Sequence, residues 1–217
     1  MPTDALSRLA DLKVIPVVAI DDAAWADPMG EALVAGGLPI AEVTFRTPAA
    51  AAAIKALAKR GDLLVGAGTV LSIDNVKTAI DNGANFIVTP GFSPTVVGYC
   101  VQNKIPITPG TVTATEIGWA LEHGLNVVKF FPAEASGGLK TLKAVAAPYA
   151  MMRFVPTGGI VPDNLLDYLK FSQVLACGGS WMVSKELLAN KRFDRIRDLA
   201  AQAVTLAKQA KGTGATK

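Results

Sequence analysis

Eight short runs rich in β-branched and aliphatic residues recur along the chain, each followed by a stretch of helical periodicity, and no hairpin turn joins any two of them. The runs fall at 14–20, 40–45, 63–67, 85–88, 105–108, 126–131, 151–155 and 173–177. Amphipathic segments at 22–35, 48–59, 73–82, 94–103, 113–122, 138–146 and 162–170 separate them, and a long helical pattern at 193–210 follows. Strands that alternate with helices and never turn straight back must run parallel, because a parallel neighbour is reached only by a crossover. Eight units of roughly 25 residues leave no room for a second domain and favour closure into a barrel. The expected fold is α/β: a (β/α)8 TIM barrel with an N-terminal helix, one domain over residues 1–217. A GxGxxG turn after the first strand is absent, which argues against a dinucleotide-binding open sheet.

Local punctuation agrees with this division. Ser72 and Thr113 stand where helix N-caps belong, and Gly83 and Gly124 where helices stop. Asp163 after Pro162 suits an opening first turn. His123, the chain's one histidine, falls in a last helical turn, where it suits the helix dipole better than it suits catalysis.

Composition closes several other routes. With 51% apolar residues among 217, the chain buries a large core without needing disulfides or a structural metal. The net charge is only +3, and basic residues are not interleaved with aromatics, so no nucleic-acid partner is expected. The lysines of 208–217 read as a frayed, solvated tail. Cys100 and Cys177 lack metal or redox spacing and read as buried thiols. The N-terminal stretch has acids and no apolar core of a signal peptide, and no run reaches membrane-spanning length, so a cytoplasmic protein without membrane partners is expected.

In a barrel, chemistry sits at the C-terminal strand ends, and the unusual residues of this chain gather there. Lys129 is the single charge in the apolar run Asn126-Val-Val-Lys-Phe-Phe. Period-two alternation puts it on one face with Val127 and Phe131. Facing the interior, it has its ammonium form disfavoured by burial, which leaves a neutral amine able to attack a ketone. A lysine held by an interior carboxylate for structure alone is the competing reading. In Glu42-Val-Thr-Phe-Arg46, the residues Glu42, Thr44 and Arg46 share a face. Glu42 is then a partner for Lys129 and a general acid/base, and Arg46 at the rim suits a carboxylate. A buried ion pair explains them as well.

Two glycine pairs, Thr157-Gly158-Gly159 and Gly178-Gly179-Ser180, are expected to follow the seventh and eighth strands. Backbone N–H groups can converge there on a phosphate, with a hydroxyl on each turn. Gly66-Ala-Gly-Thr69 and Thr89-Pro90-Gly91 also permit close approach of a ligand, although turn geometry alone accounts for their glycines. No Ser–His–acid set and no cluster with metal spacing appears, so neither metal nor cofactor is expected.

Seven stretches spread in order over the chain resemble bacterial 2-keto-3-deoxy-6-phosphogluconate (KDPG) aldolases, also called 4-hydroxy-2-oxoglutarate (KHG) aldolases. They are ALVAGG (32–37), EVTFRT (42–47), VGAGTV (65–70), TPGFSP (89–94), VKFFPAE (128–134), RFVPTGGI (153–160) and GGSW (178–181). The resemblance implies a TIM barrel, a homotrimer and a lysine-dependent aldolase acting on a small keto-acid phosphate. It implies that Lys129 forms the Schiff base and Glu42 shuttles protons. Arg46 and Thr69 would hold the carboxylate, and Gly158, Gly159, Gly179 and Ser180 the phosphate, with Thr157 beside them. Phe131 would line the pocket, and Pro90 counts among the substrate-binding residues. The family pattern commonly has Ser at position 89 and Cys at 155, where this chain has Thr and Val; neither change removes a group the chemistry needs. Cleavage of 4-hydroxy-2-oxoglutarate as the main activity, a phosphosugar isomerase using Glu42 as base, and a non-catalytic assembly subunit are the alternatives.

Overall fold

A computed structural model describes residues 2–212. An N-terminal helix, α1 (Pro2–Leu12), leads into β1 (Val14–Val18). The chain then alternates through α2 (Ala26–Ala35), β2 (Ile40–Thr44), α3 (Ala50–Arg60), β3 (Leu64–Gly68), α4 (Ile73–Asp81), β4 (Phe86–Val88) and α5 (Pro94–Gln102). Two very short strands, β5 (Ile107–Thr108) and β6 (Gly110–Thr111), precede α6 (Ala114–Glu122), β7 (Val127–Phe130), α7 (Gly138–Ala146), β8 (Arg153–Pro156), α8 (Pro162–Leu169) and β9 (Cys177–Gly179). A short α9 (Lys185–Ala189) and the long α10 (Phe193–Gly212) follow. Helix α10 runs past the expected end at 210, so 208–212 is helical; the rest of the expected tail, 213–217, lies outside the described residues.

The helix signals in the sequence act as expected. Ser72 Oγ accepts from the Asn75 amide at 3.1 Å, and Thr113 forms a reciprocal capping box with Glu116. Gly83 and Gly124 take left-handed conformations, φ 93° and 75°, which a residue with a Cβ adopts at a cost. His123 closes α6: its Nδ1 donates to the Trp119 carbonyl at 2.8 Å, and its ring stands edge-on to Phe92.

Every strand pairing is parallel. A curled six-stranded sheet has the order β5-β4-β3-β2-β1-β9, and a second sheet the order β6-β7-β8. The expected fifth strand at 105–108 ends at Pro109, and pairing resumes at Gly110 as a separate strand. A proline has no N–H to give the ladder, and at this point the chain changes partners. β5 is bonded to β4, β6 is bonded to β7, and the Pro109 carbonyl accepts from the Lys129 amide at 2.8 Å.

The eighth strand is also displaced from 173–177. Phe154 and Leu175 bond across at 2.8 Å, and Phe154 bridges to Val174, but the ladder to β1 starts only at Cys177. The segment thus serves β8 with its first half and β1 with its second. Gly178 and Gly179 consequently lie within a strand and do not form a turn.

Glycines on β3 leave room for side chains from its neighbours. A Cβ at Gly66 would stand 2.2 Å from the Phe86 ring, and one at Gly68 would stand 2.3 Å from Glu42 Oε1. Gly36, after α2, lets α10 approach: a Cβ there would meet the Arg197 carbonyl at 2.6 Å. The tightest backbone approach is at Gly110, where a Cβ would fall 2.2 Å from the carbonyl oxygen of Pro90. Neither side can yield by rotating a side chain, so Gly110→Ala is expected to destabilise the protein by about 3 kcal/mol, the upper part of the overpacking range. Urea unfolding checks this, and a midpoint unchanged from wild type would contradict the close approach.

Candidate active site

Lys129 and Glu42 meet in the interior. They come from strands in different sheets, 87 residues apart, and Lys129 Nζ lies 3.4 Å from Glu42 Oε1. Lys129 is 5% exposed and Glu42 2%. Val128 and Phe130, on the opposite face of β7, are fully buried, as the alternation predicts. The ammonium or amine nitrogen also sits 4.9 Å from the centroid of the Phe131 ring, within the range of cation–π attraction. The two charged groups line a small chamber of about 10 Å³ with Leu9, Ile15, Phe86, Val88, Thr108 and Val155. Leu9 comes from α1 and closes that side.

A larger cleft of about 370 Å³ is lined by Phe131, whose ring stands beside Nζ, whereas Lys129 and Glu42 themselves line the small chamber and not the cleft. Seven of the residues singled out from the sequence converge on the cleft: Arg46, Phe131, Thr157, Gly158, Gly159, Gly179 and Ser180. Gly158 and Gly159 have φ of 96° and 79°, so this pair forms a true left-handed turn. The loop after β7 braces it. The Ala133 amide donates to the Thr157 carbonyl at 2.8 Å, and the Glu134 amide donates to the Gly158 carbonyl at 3.0 Å. Glu134 in turn accepts a hydrogen bond from Tyr168 OH. Burial, reinforced by that hydrogen bond and the Glu134 charge, raises the Tyr168 phenol well above its usual range and keeps the proton on it.

Gly178 and Gly179 have packing reasons of their own. A Cβ at Gly178 would come 2.4 Å from Thr157 Oγ1, and one at Gly179 would come 1.7 Å from the Trp181 ring. Their contact with the cleft is therefore along backbone. Thr69 and Pro90 line neither cavity. Thr69 directly follows β3 with φ 53°, a sparsely populated conformation for a β-branched residue. Thr89, at the position where the family pattern commonly has Ser, links the turn after β4 to β6: its Oγ1 donates to the Gly91 carbonyl at 2.7 Å and accepts from the Gly110 amide at 3.3 Å.

A family model described as "Aldolase: KDPG and KHG aldolase" matches residues 6–199. The chain belongs to the KDPG and KHG aldolase family. It is 46% identical over 204 residues to a 2-dehydro-3-deoxy-phosphogluconate aldolase of Haemophilus influenzae, which covers 94% of this chain and 96% of the relative. Its fold is similar to that of the KDPG aldolase of Zymomonas mobilis solved with 3-phosphoglycerate, with a TM-score of 0.88 and 39% identity over 95% of this chain and 97% of that one. It is also similar to the KDPG aldolase of Legionella pneumophila, in which pyruvate was captured at low pH as a covalent carbinolamine. There the TM-score is 0.90 at 36% identity, covering 94% of this chain and 99% of that one.

Several residues of this aldolase-family site escape a reading of the sequence. Gly68 makes space for the Glu42 carboxylate, and its only signal is the small-residue alternation Gly66-Ala67-Gly68. Thr44, which lines the cleft, fixes β2 to β1 by donating to the Val18 carbonyl at 2.8 Å. Thr108 Oγ1 is buried without a hydrogen-bond partner among the described residues, and Thr108 lines the Lys129 chamber. Lys185 lines the cleft from a segment that carries no motif. Among the described residues no group of three or more His, Cys, Asp or Glu is arranged to hold a metal ion, and no helix is long and apolar enough to cross a membrane. Both cysteines are buried. Burial pushes the Cys100 thiol up to about 11 and raises that of Cys177 further, so both remain protonated and inert near neutrality.

Proposed function

We propose that this chain is a class I aldolase that cleaves 2-keto-3-deoxy-6-phosphogluconate to pyruvate and glyceraldehyde 3-phosphate through a Schiff base on Lys129. The observation that carries the reading is the buried Lys129–Glu42 contact at 3.4 Å, next to a cleft large enough for a phosphorylated sugar acid. An amine and a carboxylate held together out of water can exchange a proton, which leaves the amine nucleophilic.

Lys129 Nζ adds to the C2 ketone to give a carbinolamine, and Glu42 supplies the proton with which the hydroxyl leaves as water. The resulting iminium withdraws the electron pair of the C3–C4 bond as that bond breaks. Glu42 takes the proton of the C4 hydroxyl, and the aldehyde departs. The enamine left on Lys129 regains a proton at C3, and water hydrolyses the iminium to pyruvate and free amine. The iminium acts as the electron sink, so the sequence of steps calls on no cofactor. Arg46 and Thr69 are assigned to the carboxylate, Pro90 counts among the substrate-binding residues, and Phe131 lines the pocket. Thr157, Gly158, Gly159, Gly179 and Ser180 are assigned to the phosphate. The captured pyruvate carbinolamine of the Legionella relative supports the covalent route.

The architecture we read for it is one (β/α)8-barrel domain. The bridges Phe154 to Val174 and Thr157 to Gly178 join the two sheets on one side, and Pro109 carries the chain between them on the other. A cytoplasmic homotrimer completes the reading, for which the exposed Leu71, Trp119 and Met151 supply apolar surface.

Incubation with pyruvate and borohydride tests the covalent step. Intact mass is expected to rise by one reduced pyruvyl group, with peptide mapping placing it on Lys129. An unmodified protein would instead favour an isomerase on the same scaffold.

A further inference from the structure

The cleft is lined by two charged residues and no carboxylate: Arg46 and Lys185. The proposed substrate has two anionic ends, a carboxylate and a phosphate. Arg46 is assigned to the first. Lys185 shares the cleft with Gly158, Gly159, Gly179 and Ser180, the groups assigned to the second. We infer that Lys185 is a specificity-determining residue that selects the phosphorylated substrate, and that Asp21 holds its ammonium at the mouth of the cleft until a phosphate takes over. The inference rests on the phosphate reading of the cleft given above.

Three observations converge on this role. Lys185 Nζ lies 3.2 Å from both carboxylate oxygens of Asp21, a residue 164 positions away, so the ammonium is already presented to an anion in a two-oxygen geometry. The pair is solvated, with side-chain exposures of 60% and 52%, and an exposed ion pair of this kind is weak enough to be exchanged for a more highly charged partner. Lys185 is also the first residue of α9, where a cation works against the helix dipole. Its placement is therefore not explained by the stability of that helix. A phosphate dianion competes well against one carboxylate for the same ammonium, because it carries more charge and three acceptor oxygens. A non-phosphorylated substrate such as 4-hydroxy-2-oxoglutarate offers nothing there and leaves the Lys185–Asp21 pair intact.

Steady-state kinetics on two substrates and two variants test the assignment. Lys185→Met is expected to raise KM for 2-keto-3-deoxy-6-phosphogluconate about tenfold, the scale of one charge-assisted contact at a solvated rim. Its kcat should stay within about twofold, as expected when binding common to ground and transition states is removed. KM for 4-hydroxy-2-oxoglutarate should not move. Asp21→Asn frees the lysine and is expected to lower KM for the phosphorylated substrate severalfold, a gain that disappears when Lys185→Met is added. A preference for the phosphorylated substrate that survives Lys185→Met unchanged, or equal losses on both substrates, would overturn the role of Lys185 while leaving the phosphate reading standing. A wild-type enzyme with no preference for the phosphorylated substrate would instead remove the phosphate reading itself.

Discussion

Lys129→Met is expected to lower the cleavage rate by on the order of 10⁴-fold or more, the scale seen when the residue carrying covalent catalysis is removed. Methionine matches the lysine stem in length and flexibility, so the chamber between Phe86, Val88 and Val155 stays filled. What disappears is the nitrogen. Without it there is no carbinolamine, no iminium, and no sink for the electrons of the C3–C4 bond. The variant should also take up no mass on treatment with pyruvate and borohydride. Cleavage by the methionine variant within about tenfold of wild type would show that the covalent step lies elsewhere. It would also revive the reading of Lys129 as one half of a purely structural ion pair.

The second large effect is expected at Glu42. Glu42→Gln keeps the shape that Gly68 makes room for, where a Cβ would stand 2.3 Å from the carboxylate, and removes the ability to carry a proton. General acid–base catalysis at one residue contributes about 10²–10⁴-fold, so kcat should fall within that span. The two variants are told apart by trapping. The glutamine variant retains the amine and should still form the reduced pyruvyl adduct on long incubation, though slowly, whereas the methionine variant should never form it. If Glu42→Gln cleaves at the wild-type rate, another group or water moves the protons, and Glu42 merely accompanies the lysine.

The pairing behind both predictions was legible because each residue breaks its local pattern. A lysine inside Val127-Val128-Lys129-Phe130 and three polar side chains on one face of β2 are costly unless they face one another, and period-two alternation is enough to say which faces these are. Arg46 and the Gly158–Gly159 turn were legible for the similar reason that they stand at strand ends. The limits of the reading have physical causes as well. Pro109 splits one strand into two because it has no N–H, and the sequence of that run does not say which neighbour each half will choose. The segment 173–179 divides its hydrogen bonds between β8 and β1, which moved the strand forward and placed Gly178 and Gly179 inside it. Lys185 and Asp21 meet across 164 residues, and neither belongs to a motif. Thr108 is an ordinary β-strand threonine by sequence, and only the packing reveals that its hydroxyl has no partner among the described residues.

The seat of Leu9 against the chamber has a bearing on timing. Leu9 is 1% exposed and lines the chamber on the α1 side, so in the proposed reaction a ligand reaches Lys129 from the other side, where Phe131 stands beside Nζ and lines the cleft. A molecule tied to Lys129 by its keto-acid end has its phosphorylated end nearest the way out. For the proposed cleavage this fixes an order of departure: the aldehyde half vacates first, and pyruvate follows once water has come down the same passage to release it.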